Sequence, residues 1–298
     1  MKLVLIDIGG TSVKTTMANE LGNLGEVTSF LTPRADYRQM FSLLTEHLEQ
    51  HYAMDEIEGI AISSMGIARG DDTIGWRSPI YEAFGTTLVP ELTNYYQVPV
   101  TIENDGNCAA LCEYWLGNAQ NCSSFATIVF GTSIGGAIIM DGKVIRGANR
   151  LAGEFGYFIE KDPEKQYEIW SISGSTVALV NKVKQANPQL EMAELDGKVI
   201  MELVSQQSPL VMPHYEVFIE QLAMNIYNLQ YILDPEKILI GGGISASQQF
   251  IDDTNQKLQE LTAAIPSNVI ELAIEPCQFG NDANLLGALY CWLEKYGN

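Results

Sequence analysis

One short pattern occurs twice in this chain: an apolar strand, a glycine turn and a second strand, as LIDIGGTSVK at residues 5–14 and as TIVFGTSIGG at residues 127–136. Glycine at the bend lets the chain reverse tightly and leaves the backbone amides uncovered, so each copy predicts an antiparallel hairpin that a ligand can approach closely. Two such hairpins fit two lobes of related architecture, and 298 residues suffice for two domains with a core each. A boundary is expected near Leu116 to Asn121. It gives a small first lobe, 1–118, and a larger second lobe, 119–298, whose last helix, about 281–298, is expected to pack back on the first.

Period-2 alternation predicts strands at Lys2 to Ile8, Ser12 to Ala18, Leu24 to Leu31 and Ile57 to Ile62, with a helix from Tyr37 to Tyr52. Strands paired first antiparallel and then through a helix describe a mixed sheet, hence an α/β fold. Gly70 to Gly85 shows no clean period and reads as a loop facing a cleft. A helix follows at Leu88 to Tyr96, then a short buried strand, Val100 to Ile102, and a helix from Gly106 to Leu116 whose start is marked by Asn104 and Asp105. After the second hairpin the chain reads as helical over Gly174 to Val204 and Pro213 to Leu233. Strands are predicted at Ile238 to Ile240 and Val269 to Ile274, and helices at Ser247 to Ala264 and Asn281 to Lys295.

Charge narrows the partners. Thirty-seven acidic residues against 17 basic ones give a net charge of −20, a field that repels a phosphate backbone and an anionic membrane surface. Nucleic acid and membrane are therefore not expected as partners, whereas a nucleotide remains compatible, because local amides and a cation act at short range. Five cysteines without a CxxC pair read as reduced thiols in a cytoplasmic protein, and no apolar run approaches the ~20 residues that cross a bilayer. His47, His51 and His214 receive no metal role.

The candidate chemistry lies at the strand ends. Gly9, Gly10 and Thr11 offer amides and a hydroxyl to a phosphate, with Lys14 as a nearby cation. Asp7, ending the first strand, suits a hydrated Mg²⁺; an ordinary hairpin explains the glycines equally well. Gly131, Thr132, Ser133, Gly135 and Gly136 repeat the arrangement, and two such loops facing each other would clamp a polyphosphate. Gly241, Gly242 and Gly243 follow a strand, where flat backbone can lie against a purine or ribose; a structural helix-packing turn explains them equally well. Asp105 is the candidate general base for an attacking alcohol, with Asn104 beside it as a hydroxyl ligand. Helix capping accounts for that pair too, and the two roles are compatible. Glu154, held between glycines in GEFGY, suits two sugar hydroxyls or a solvated loop. Neither GxxxxGK[ST] nor a βαβ-borne GxGxxG occurs, which disfavours a Walker or dinucleotide fold.

Taken together, these segments resemble the ROK family of repressors, open reading frames and kinases from Leu3 to the closing helix. DIGGTSVK resembles its first phosphate loop, ENDGNCAALCEYWLG its catalytic segment, GTSIGGAIIMDGKVIRGANRLAGEFGY its second phosphate loop and sugar-binding segment, and ILIGGGIS its adenosine loop. The resemblance implies an actin-like, ribonuclease H-like ATPase fold of two lobes with mixed sheets and a central cleft. It further implies MgATP as donor, a hexose-type hydroxyl as acceptor, Asp105 as base, Gly66, Asn104 and Glu154 as sugar contacts, and a homodimer.

Two departures refine it. Members similar to this chain carry a histidine after the Gly-Glu-x-Gly run and then a CxCGxxGCxE stretch that holds zinc; here Tyr157 stands at the histidine position and no cysteine lies between Cys122 and Cys277, so no zinc is expected. The family's second sugar-binding glutamate aligns with Ser171, with Glu168 as the alternative. This zinc-free pattern resembles the β-glucoside kinase branch, which phosphorylates the 6-hydroxyl of a glucosyl unit. Tyr157 would then stack on the second sugar at the anomeric end. The rivals are a hexose or N-acetylmannosamine kinase of the same family and a sugar sensor without turnover. The family's regulators place a DNA-binding helical domain ahead of the core, whereas the first strand here begins at Lys2, so a repressor is not expected.

Overall fold

The computed structural model describes residues 1–33, 37–68, 74–75, 79–162, 166–188 and 195–297. Its first sheet grows from β1 (Leu3–Ile8), a run of six residues that are all buried, as a strand covered on both faces requires. β1 turns into β2 (Ser12–Ala18), and β2 pairs with β3 (Thr28–Leu31), both antiparallel. Helix α1 (Tyr37–His51) then carries the chain to β4 (Gly59–Ser64), parallel to β1. A small antiparallel pair, β5 (Ile67–Ala68) and β6 (Ile74–Gly75), precedes α2 (Pro79–Tyr96), β7 (Val100–Asn104) and α3 (Asp105–Trp115). The five-stranded order is β3-β2-β1-β4-β7.

The second sheet repeats that plan. β8 (Phe125–Phe130), β9 (Ile134–Met140) and β10 (Lys143–Val144) are successive antiparallel neighbours. An antiparallel hairpin follows, β11 (Ile159–Asp162) with β12 (Gln166–Ile169), then helices α4 (Trp170–Ser173), α5 (Thr176–Ala186), α6 (Gly197–Ser205) and α7 (Met212–Leu233). β13 (Lys237–Gly241) lies parallel to β8, and α8 (Gln248–Ala263) leads to β14 (Ile274–Pro276), parallel to β13. The order β10-β9-β8-β13-β14 matches the first sheet strand for strand. The sequence echo is thus a shared topology of three antiparallel strands joined to two parallel ones.

The chain divides into two compact units, Met1–Trp115 with Gly147–Leu151 and Asp282–Asn298, and Leu116–Arg146 with Ala152–Asn281. In the first, alternate strand residues face opposite layers. Val4, Ile6, Ile60 and Ile62 join α1 and α2, while Leu3, Leu5 and Ala61 join Cys108 of α3 and the last helix, α9 (Ala283–Tyr296). In the second unit, Phe130 meets Trp170 edge-on at 5.6 Å and contacts Phe218 and Phe250, which ties the sheet to α4, α7 and α8. Side-chain caps start the helices: Ser175 accepts from Ala178 N, Asp196 from Val199 N and Ser247 from Phe250 N.

Several sequence expectations are corrected. Of the stretch expected as a loop, Gly70 to Gly85, residues from Pro79 onward are helical, because proline at the first position of a helix loses no needed N–H and presets φ; 70–73 and 76–78 lie outside the described residues. The region from Gly174 to Val204 is two helices rather than one, with 189–194 outside the described residues. Only Ile274 of the expected strand Val269 to Ile274 joins the sheet. Asp105 is the first helical residue rather than a residue before the helix; Asn104 caps α3 through Asn107 N, and Asp105 accepts from Gly106 N. His47, on α1, is half-buried, its Nε2 2.9 Å from Thr28 Oγ1 and 3.1 Å from Thr15 Oγ1.

Close backbone approach fixes α9. A Cβ on Gly287 would sit 1.8 Å from the carbonyl oxygen of Cys108, and one on Gly59 would meet the Trp292 indole at 2.4 Å. In an open helix, alanine gains roughly 1 kcal/mol over glycine. Here the clash with α3 outweighs that gain, and Gly287→Ala is expected to destabilise the chain by about 1–3 kcal/mol. A urea titration monitored by Trp fluorescence measures this; an unchanged or higher midpoint contradicts the packing.

Candidate active site

In the first unit the carboxyl ends of three parallel strands carry polar side chains in one row, since the register places Asp7 opposite Ser63 and Ser63 opposite Glu103. Asp7 is only 6% exposed. Burial pushes its carboxyl above the usual range, against hydrogen bonds from Ser63 and Asn284 and the charge of Lys14, its antiparallel neighbour on β2. Both bonds fall on one oxygen: Ser63 Oγ donates to Oδ1 at 3.0 Å and Asn284 Nδ2 at 3.2 Å. Next to it the turn is pinned from the side. Gly9 N donates to Ser12 O, and Thr32 donates through Oγ1 to Gly9 O at 2.7 Å and through N to Thr11 O at 3.0 Å. Gly10 and Thr11 are exposed, and a Cβ on Gly10 would meet the Met65 methyl at 3.0 Å.

Met65 and Gly66 connect this turn to the predicted catalytic pair. Met65 N donates to Ile8 O, and Gly66, held at φ +109°, accepts at its carbonyl from Asn104 Nδ2 at 2.7 Å. The second hydrogen of that amide goes to Asp105 Oδ1 at 3.0 Å, where Gly106 N also donates at 2.9 Å. Asn104 Oδ1 accepts from Asn107 N at 3.0 Å and so caps α3. Asp105 therefore stands half-buried at the positive end of a helix, with one carboxylate oxygen anchored. Lys14, Asp7, Gly9, Gly10, Thr11, Gly66, Asn104 and Asp105 all belong to this unit.

The second unit gathers the remaining candidates. Gly131, Thr132 and Ser133 form an exposed turn closed by Gly131 N donating to Ser133 O at 3.0 Å. Ser171, from α4, lies 2.8 Å from Ser133 Oγ and accepts from Ile134 N at 3.0 Å, so it braces the turn. Gly242, at φ +89°, lies so close to the strand before that turn that a Cβ would come within 1.9 Å of Phe130 O, whereas Gly135 and Gly243 face open space. Gly241 is buried at the end of β13, against Val129 and Cys277. Glu154 follows Gly153, at φ +89°, and precedes a short 3-10 turn, Phe155–Tyr157; Phe155 is buried against Gly136. The backbone carbonyl of the half-buried Glu154 accepts from Tyr157 N at 3.1 Å, whereas its carboxylate has no hydrogen-bond partner among the described residues and is raised by burial. Tyr157 is 56% exposed. Glu168, the alternative to Ser171, sits on β12 and accepts from Ile169 N at 3.2 Å.

Sequence reasoning did not single out Ser63, Glu103, Asn107 or Asn284. Ser63 and Asn284 act on Asp7 from 56 and 277 residues away, and no local pattern signals that. Glu103 and Asn107 lie within the quoted ENDGN run, where an acidic residue inside a buried strand was the available signal.

Among the described residues no helix is long and apolar enough to cross a membrane. A family model described as "ROK family" matches residues 3–295. A protein named β-glucoside kinase from Listeria monocytogenes is 30% identical, with 99% of this chain and 98% of that protein aligned. An N-acetyl-D-glucosamine kinase from Yersinia pseudotuberculosis is 26% identical over 97% of this chain and 98% of its own length. Among solved structures, a ROK family protein from Streptococcus pneumoniae TIGR4, in complex with sucrose, superposes with a TM-score of 0.88 at 30% identity, covering 100% of this chain and 99% of that one. The architecture is that of actin-like ATPases, and the chain belongs to the ROK family.

Proposed function

We propose that this sugar kinase transfers the γ-phosphate of ATP to a hydroxyl of a hexose or β-glucoside, the 6-hydroxyl of a glucosyl unit, with Asp105 as general base. The observation that carries the reading is the anchored Asp105 carboxylate at the junction of β7 and α3. The acceptor O–H gives its proton to that carboxylate, the oxygen bonds to phosphorus, and the bond from phosphorus to the departing ADP oxygen breaks. Positioning matters more than base strength in such a transfer. With both amide hydrogens of Asn104 spent on Gly66 and Asp105, its Oδ1, which already accepts from Asn107 N, has one lone pair left for a sugar hydroxyl.

In the first unit Gly10, Thr11 and Lys14 offer donors and a cation to phosphate oxygens on a turn that Gly9 N closes; in the second, Thr132, Ser133 and Gly135 offer donors on a turn that Gly131 N closes. Gly241, Gly242 and Gly243 keep the backbone bare for the adenosine. Mg²⁺ binds through one or two carboxylates and substrate phosphates with waters retained, and Asp7 fits that mode as a buried carboxylate with one oxygen held in place. Bound there, the ion would neutralise charge on the phosphates. The reading includes no zinc, since Tyr157 and a cysteine-free stretch up to Cys277 stand where a zinc site would need its ligands. Glu154 accepts sugar hydroxyls, Ser171 borders them, and Tyr157 offers an exposed ring to a second sugar.

Purified protein with MgATP and a panel of hexoses, N-acetylhexosamines and β-linked disaccharides, assayed by ADP release, tests the acceptor. Turnover of cellobiose at or above that of glucose is expected; turnover confined to N-acetylhexosamines would replace the β-glucoside assignment with the activity named for the Yersinia relative. Asp105→Asn should keep sugar binding and lower kcat at least ~100-fold. Near-normal turnover would remove Asp105 from the chemistry.

Glu154 gives a pH-dependent prediction. Because burial raises its carboxyl, the folded chain binds that proton more tightly than the unfolded chain. Stability is then lost as pH rises from the ordinary carboxylate value through the raised one. Glu154→Gln removes that cost. The variant's Tm should equal that of the parent near pH 4 and exceed it by about 1–2 °C at pH 8. Its sugar affinity should fall about 10-fold or more, as expected for a lost charged hydrogen bond. Calorimetry at the two pH values and a sugar titration check both; unchanged affinity would dismiss Glu154 as a ligand.

A further inference from the structure

We propose that Glu103 is a positioning residue for phosphoryl transfer, its buried carboxylate fixing the junction of β7 and α3 and thereby aiming Asp105. The inference rests on Asp105 being the base. Glu103 is 7% exposed within a strand whose five residues are all buried. Burying an acid costs free energy unless its oxygens are bonded, and a β-branched apolar residue would suit the strand better. Its Oε1 accepts two hydrogen bonds of 2.9 Å, from Asn104 N at the last position of β7 and from Asn107 Nδ2 on the first turn of α3.

Asn107 is thus held twice, through its side chain by Glu103 and through its backbone N–H by Asn104 Oδ1 at 3.0 Å. Glu103, Asn104 and Asn107 close a ring of hydrogen bonds across the strand-to-helix turn, and Asp105 lies inside that turn. Capping alone needs only Asn104. The added carboxylate fixes the main chain on both sides of Asp105, so that Asn104 Nδ2 meets Asp105 Oδ1 at 3.0 Å. A misplacement of about 1 Å at such a group lowers a rate by roughly 10²-fold.

The test uses the full chain with MgATP and whichever of glucose, N-acetylglucosamine, N-acetylmannosamine and cellobiose is turned over fastest. Glu103→Ala is expected to lower kcat about 10–100-fold with KM for ATP within about twofold of the parent. Glu103→Gln keeps an acceptor oxygen at the same position and should restore kcat to within about fivefold, while Asn107→Ala, which removes one of the two donors, should lose about 3–10-fold. Parental kcat in Glu103→Ala, or equal losses in the Ala and Gln variants, would overturn the proposal. Should Glu103→Ala fail to fold, Asn107→Ala decides: parental kcat with parental Tm sinks the idea. Asp105→Asn in the same assay separates the two claims. If it is inactive while Glu103→Ala is unimpaired, only the positioning role falls; if it is active, the base assignment falls first.

Discussion

The row Asp7, Ser63 and Glu103, set where three buried parallel strands end together, is the constraint on which the first unit depends. The strands are apolar along their length, so the polar row is tolerated only because each member has a partner: Ser63 and Asn284 for Asp7, the Asn104 backbone and the Asn107 side chain for Glu103. Those partners come from β4, α9, β7 and α3. Satisfying the row therefore fixes two helices against the sheet, and the glycine contact between Gly287 and Cys108 allows them the close approach this needs. At the end of β7 the groups that stabilise the strand end also hold the turn on which Asp105 stands.

Asn104 shows how completely one side chain is used. Its oxygen caps α3, one amide hydrogen holds Gly66, whose positive φ sets the turn after β4, and the other holds Asp105. Aspartate at this position could cap the helix equally well, yet it carries no donors for Gly66 and would place a second negative charge beside Asp105. The choice of asparagine over other caps is thus explained by its donors.

Features written in contiguous residues were legible in the sequence. The hairpins around Gly9 and Gly131 announced themselves through alternation broken by glycine, and the Asn104–Asp105 junction through a capping residue before an apolar run. The repetition of LIDIGGTSVK in TIVFGTSIGG reached as far as the strand order of both sheets. Illegible parts depend on long-range pairing or on weak local period. The side chains of β12 are exposed or half-exposed and so show no apolar alternation, and α2 hides behind Gly85, aromatics and an internal Pro90. Val269 looks like a strand residue by type but is 82% exposed, since nothing in the sheet pairs with it. The hydrogen bonds of the Ser171 hydroxyl to the turn at Ser133 and Ile134 likewise become visible only once α4 is folded.

An acidic chain that binds a polyanion must draw its attraction from something other than net charge. At −20 the long-range field opposes a nucleotide, and Lys14 is the cation set beside Asp7 in the strand register. The opposing field is screened within about 10 Å at ordinary ionic strength, so on the proposed reading the exposed turns at Gly10–Thr11 and Thr132–Ser133, closed beneath by Gly9 N and Gly131 N, would supply the attraction at contact distance. Asp7 turns the same problem to use. Burial raises its carboxyl, which means that the charged form is poorly stabilised where it stands. On the proposed reading, a divalent ion arriving with the phosphates would offset that cost while neutralising the ligand's charge, and the burial of one carboxylate would then favour the metal-bound form of the donor over the free nucleotide.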